Sequence, residues 1–140
     1  DHRDLHSFPT RRSSDPKLIS IMVDETSDVS MTEQLSDCVR YLDTSVDEKV
    51  EIEEAFLCFV DLPRTDAATI TDALLQNLIS SGIDLNRLRG MGFDGVSTMS
   101  GSVSGVQARI TAQHPKAKYF THCSSHCLNL VIVASCTNVH

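Results

Sequence analysis

Two aspartates stand where apolar runs give way to small and polar residues. Asp24 closes the run in IMVDETSD, and Asp94 closes the run in GMGFDGVSTMSG. A β-strand that ends in this way delivers a carboxylate to the rim of a sheet. One such residue has a plain reading, because aspartate is common in turns. Two of them, each followed by small residues that leave room for a ligand, point to a shared acidic site. Carboxylates a few ångströms apart repel each other unless a cation sits between them. The usual chemistry of such a pair is two-metal cleavage, with ions about 3.5–4 Å apart clamping the attacking and leaving oxygens of a phosphodiester. Mg²⁺ or Mn²⁺ suits all-oxygen ligation. Glu25 and Asp28 read as residues that shape the turn.

A second cluster, HCSSHC at 122–127, carries four candidate zinc ligands in His122, Cys123, His126 and Cys127. Structural zinc wants four convergent groups, whereas a helix starting near Ser124 points His126 and Cys127 in different directions. Zinc is therefore not expected here. A Cys123–His126 nucleophilic pair lacks an evident third residue to orient it. Gly92, Gly95 and Gly101 look like a phosphate loop in composition, but neither a P-loop nor G-x-G-x-x-G is present. Close backbone approach around Asp94 is the better reading.

The elements that must position these residues follow from periodicity. Leu18 to Val23 is a continuous apolar run, as in a central strand covered on both faces. Gln34 to Leu42 alternates like a half-buried strand, and Ala55 to Val60 reads as a third strand ended by Asp61 and Pro63. From Asp66 the period becomes helical. Ala67, Ile70, Ala73, Leu74 and Leu78 share one face, Thr65 or Asp66 caps the start, and Gly82 followed by Ile83 fits a glycine stop. Leu88 to Phe93 is a short strand delivering Asp94. A second helix is expected from about Met99 to Gln113 with Val103, Val106 and Ile110 inward, a fifth strand from Tyr119 to His122, and a strongly apolar third helix after Ser124 or Ser125. The order β-β-β-α-β-α-β-α gives an α/β fold on a mixed five-stranded sheet, since the later crossovers force parallel neighbours. That is the order of the ribonuclease H-like fold, in which the first and fourth strands lie side by side.

At 140 residues and 41% hydrophobic content the chain is about the size of one domain with one core. Its formal charge of −7 argues against a free-standing nucleic-acid binder but leaves room for an enzyme core gripped to DNA by other parts. Five cysteines, an odd number, read as reduced intracellular thiols, with Cys38 and Cys58 as small buried hydrophobes. No apolar run is long enough to span a bilayer, and no signal peptide is visible, so no membrane is expected. HSFPTRRSSD at 6–15 has no apolar pattern and matches, codon for codon, a translated sequencing-adapter oligonucleotide. Residues 1–15 are accordingly set apart as an artefact and 16–140 taken as the domain. Arg11 and Arg12 as a phosphate-touching arm is the alternative.

VDETSD at 23–28, GMGFDGVSTMSG at 90–101 and HCSSHCLNL at 122–130, in this order, resemble the hAT superfamily of DNA transposases. The likeness is to domesticated transposase-like proteins described as zinc-finger MYM-type or TTF-type, and it covers about residues 17 to 136. By this resemblance Asp24 and Asp94 correspond to the first two catalytic, metal-binding aspartates. Cys123 and His126 correspond to the family's C-x-x-H element beside the site. Phe93 and Val96 depart from the tyrosine and alanine frequent in relatives, which touches packing more than chemistry. The family's third acidic residue lies beyond a long helical insertion, so the chain is expected to be truncated before it. The resemblance implies metal-dependent DNA phosphodiester hydrolysis and strand transfer as the ancestral reaction. DNA as partner through the full-length protein, oligomerisation through a C-terminal region and a nuclear location are further implications. The competing implication is a catalytically inactive descendant serving as a protein-interaction or chromatin-associated module. A haloacid-dehalogenase-like hydrolase with Asp24 as nucleophile would want an acid two positions on, where Thr26 stands.

Overall fold

The computed structural model describes residues 18–27, 33–43, 50–95 and 97–137. Residues 1–15 and Asp28 lie outside that set. Five strands form one sheet: β1 (Ile19–Ser27), β2 (Glu33–Asp43), β3 (Glu51–Asp61), β4 (Leu88–Phe93) and β5 (Tyr119–His122), in the spatial order β3-β2-β1-β4-β5. β1 pairs antiparallel with β2 and β2 with β3, while β1 pairs parallel with β4 and β4 with β5. The mixed sheet is the one the element order predicts. The first three strands are longer than their apolar runs, because their charged ends still pair across the ladder (Asp43 with Glu51, Ser27 with Glu33).

Alternation along each strand sends one set of side chains into the core and the other into a groove. Ile19, Ile21 and Val23, with Leu35, Val39, Met91 and Phe93, are buried against Ile70, Leu74 and Leu78 of α1 (Ala67–Ser80) and Val106 and Ile110 of α3 (Val106–Gln113). The other face is open. Ser20, Met22, Ser36, Cys38, Arg40, Gly90, Gly92, Tyr119 and Thr121 line a groove of about 710 Å³ there. β1 is thus not covered on both faces among the described residues. Ser20 interrupts the apolar run, and it and Met22, the groove-facing members, are only half-buried. Phe56 and Phe59, which pair with Cys38 and Ser36, are also more than half exposed, with their rings edge to face at 5.1 Å.

α1 starts and stops where its sequence says. Asp66 accepts from the Thr69 backbone N–H at 3.0 Å and from the Thr69 hydroxyl at 2.8 Å, so one carboxylate fills the first turn's need for an acceptor. Gly82 takes φ 81°, and the N–H groups of Gly82 and Ile83 return to the carbonyls of Ile79 and Leu78. Thr71, buried on this helix, donates to the Ala67 carbonyl at 2.6 Å.

The expected helix from Met99 to Gln113 is two helices, α2 (Ser97–Ser100) and α3. The break is Gly101–Gly105, where the backbone folds so tightly that a Cβ on Gly101 would lie 2.5 Å from the Ser97 carbonyl and one on Gly105 2.5 Å from the Gly101 nitrogen. Met99, Val106 and Ile110 reach the core, but Val103, expected to point inward, falls in the break and is 91% exposed. The last helix, α4 (Ser124–Thr137), leaves Leu128, Leu130, Val131, Ile132 and Val133 more than half exposed. No helix among the described residues is long and apolar enough to cross a membrane.

The β1–β4 seam depends on a missing side chain. The ladder runs Ile19 with Leu88, then shifts so that Ser20 meets Gly90, Ile21 meets Met91 and Met22 meets Gly92. A Cβ on Gly90 would stand 2.5 Å from Ser20 Oγ and 3.2 Å from Ser20 Cβ, whereas one on Gly92 would meet only ordinary contacts. Gly90→Ala is therefore expected to lower stability by about 1–3 kcal/mol through overpacking, and Ser20→Ala in the same chain to recover part of it. Gly92→Ala should be close to neutral. Gly82→Ala should cost about 1–2 kcal/mol from left-handed backbone. Urea or thermal melts of the four variants check this ranking.

Candidate functional site: an acidic rim

Asp24 lies within β1 and not at its end, which corrects the expectation that the strand stops there. β1 continues to Ser27 because β2 still pairs with it, at Asp24 with Ser36 and onward to Ser27 with Glu33. Its pairing with β4 ends earlier, at Met22 with Gly92. Two residues further along both parallel strands come Asp24 and Asp94. The shared step brings them to the same rim on neighbouring strands, which lie about 4.8 Å apart in a sheet. Asp24 is exposed on the groove side, and Asp94 is half-buried just past β4.

Each aspartate is held through backbone around it. The Ser36 hydroxyl donates to the Asp24 carbonyl at 3.2 Å, tying β1 to β2 at that point. Asp94 sits between two anchors. The Phe93 carbonyl accepts from the Cys123 N–H at 2.8 Å, and the Gly95 carbonyl accepts from the Ser100 hydroxyl at 3.1 Å. Phe93 itself is fully buried and packs, rings tilted and centroids 5.8 Å apart, against Phe120 of β5, which fixes where the strand ends.

Cys123 and His126 lie at this same end of the sheet. A Cβ on Gly95 would meet His122 Nδ1 at 3.6 Å and His126 Cδ2 at 4.0 Å, so both imidazoles flank the residue that follows Asp94. His122 also packs edge to face on Phe120, with centroids 4.8 Å apart. Cys123 opens α4, whose first turn closes with the Cys127 N–H on the Cys123 carbonyl at 3.0 Å. Small side chains, Ser124 and Ser125 with Gly92 and Ser20, leave the groove open up to Asp24.

Glu25 belongs to this rim as well, and reading it only as a turn residue missed that. Its carboxyl is pushed above the ordinary glutamate range, first by burial and then by the negative charges of Asp94, Glu33 and Asp24. The signal available in the sequence was adjacency: two successive acids on one strand, opposite a third on its neighbour. The rim is thus a concentration of like charge that favours a cation or a proton. Among the described residues no three His, Cys, Asp or Glu side chains converge as a metal cage, and this includes the HCSSHC cluster. Asp24 and Asp94 supply a two-carboxylate set, which suits an ion that keeps several of its waters and not one that needs a full protein cage. All five cysteines are free thiols; Cys38 and Cys58 are half-buried and not fully enclosed.

A family model described as the ZMYM1/FAM200, RNase-like domain matches residues 11–105. The chain is also 30% identical over 127 residues to the human protein named 52 kDa repressor of the inhibitor of the protein kinase. That match takes in 89% of this chain and 16% of the relative, so the chain spans about one sixth of the relative's length. The sheet order, the mixed pairing and this match agree: the chain belongs to the transposase-derived ZMYM1/FAM200 RNase-like domain family.

Proposed function

We propose that this chain is part of the ribonuclease H-like core of a hAT-type transposase or a domesticated descendant, and that Asp24 and Asp94 hold Mg²⁺ or Mn²⁺ at the rim. The observation that carries this reading is the parallel β1–β4 register, which advances both aspartates to one end of adjacent strands. When bound, the ion polarises a phosphodiester and lowers the pKa of an attacking water. The chain's own residues then have separate tasks. Asp24 and Asp94 bind and fix the ion through carboxylate oxygens. Glu25 stands next to them on the strand, where their charge holds its own carboxyl towards the neutral form. Cys123 and His126, at the β5–α4 junction, shape the wall next to Asp94. The groove of small residues gives a nucleic-acid backbone room to approach Asp24.

DNA is the substrate class in this proposal, engaged through a longer protein, because a chain of net charge −7 repels phosphate. Nuclear location and oligomerisation outside this domain follow from the same reading. A second reading is a catalytically silent interaction module. It draws on the relative's name, which describes a repressor.

Titration of Mn²⁺ into the chain, followed by calorimetry, tests the site directly. Binding is expected, with loss on either Asp24→Asn or Asp94→Asn and retention on Asp72→Asn, an exposed aspartate on α1. Binding that survives both rim substitutions overturns the assignment. The isolated chain should not nick supercoiled DNA in Mg²⁺ or Mn²⁺, since two carboxylates alone do not complete the site. Metal-dependent nicking that disappears in Asp94→Ala would show that they do.

A further inference from the structure

A second aspartate environment lies on the covered face, behind the rim. Asp37 of β2 is fully buried between Leu35 and Val39, both core residues. Asn77 of α1 donates through Nδ2 to Asp37 Oδ2 at 2.7 Å, and Cys58 of β3 donates through Sγ to Asn77 Oδ1 at 3.3 Å. Three elements therefore meet on one small polar chain inside an apolar layer. The other carboxylate oxygen, Asp37 Oδ1, is buried with no hydrogen-bond partner.

Such a group is far cheaper to bury as an acid than as an anion. A neutral carboxyl leaves one hydroxyl unsatisfied, whereas a carboxylate leaves a charge with a single neutral amide to hold it. The groups facing Asp37 do not change that balance. β3 presents the Cys58 thiol across the ladder, β1 presents Val23, and α1 presents Asn77; Cys38 follows on β2 itself. Burial pushes the Asp37 carboxyl up to about 6, and the Asn77 hydrogen bond offsets only part of it. Both thiols are also pushed up, by burial first, with the Asp37 charge adding to it, so they stay neutral beside it.

We propose that Asp37 is a proton-operated latch that fastens α1 to β2 and β3, closed when the carboxyl carries a proton and loosened when it ionises. The latch adjoins the rim, since Ser36 next to it donates to the Asp24 carbonyl, yet it stands whether or not the rim holds metal. The sign follows from linkage. A carboxyl whose folded pKa lies above its unfolded value contributes stability that is complete below about pH 4 and is lost as pH rises through about 6. Displacement from 3.8 to about 6 corresponds to roughly a 100-fold fall in the folding equilibrium constant across that window.

The test compares the wild-type chain with Asp37→Asn by urea denaturation from pH 4.5 to 8. Every other titrating group, Glu25 included, is common to both and cancels in the ratio. The wild-type folding constant should fall relative to Asp37→Asn by one to two powers of ten, leaving the variant the more stable at pH 7.5. Amide exchange in α1 and β2, corrected for intrinsic rates, should quicken at high pH in the wild type only. Parallel pH profiles for the two proteins, or a variant less stable at pH 7.5, overturn the latch. If Asp37→Asn does not fold, the carbon-13 titration of the Asp37 carboxyl in the wild type decides. A midpoint above 5.5 supports the proposal, and one at or below 5.5 refutes it.

Discussion

The parallel pairing of β1 with β4 is the constraint on which the other features depend. Parallel neighbours cannot be joined by a hairpin, so the chain must leave the sheet after β3, cross one face and return beside β1. α1 makes that crossing, and its buried stripe of Ile70, Leu74 and Leu78 covers the face it crosses. The register shift between Ile19 and Ser20 and the glycine opposite Ser20 then set how far each strand advances. Asp24 and Asp94 reach one rim because the two strands run the same way from that shared start.

Gathering acids at a rim has a cost that the fold does not relieve on its own. Glu25 records it, since both burial and its acidic neighbours favour its neutral form. The surrounding backbone is nevertheless well tied, by Ser36 on one side and by Cys123 and Ser100 on the other. Crowded like charge on a fixed frame is the condition in which a divalent cation gains most, because its binding removes repulsion without first having to order the ligands.

Much of this was legible in the residues, and the exceptions have definite causes. The element order gave the sheet, because hairpin-linked strands followed by alternating helices and strands leave few arrangements. Asp66 and Gly82 marked the ends of α1 because a cap and a left-handed stop are local chemistry. The second helix reads as one piece because Val103, Val106 and Ile110 keep a helical spacing, yet Val103 lies exposed in the turn at Gly101–Gly105 that splits it. The openness of the groove face was hidden for a different reason. Met22 counts as apolar in any run, and only the pairing of strands reveals that Ser20, Cys38, Gly90 and Thr121 join it on one side. The acids at 24 and 94 stand out because each closes an apolar run, although Asp24 lies inside its strand; Glu25 required knowing which carboxylates come near it.

Asp24 and Asp37 sit on paired strands, one residue out of step, and that step decides what each can do. Asp24 faces Ser36 across the ladder and opens to the groove, where water and ions have access. Asp37 faces Val23 and is sealed under α1, where a charge has one amide for company. The period of two along a strand separates these fates by a single position. One carboxyl is therefore open to solvent and ions on one face of the sheet, and its neighbour is closed off from them on the other.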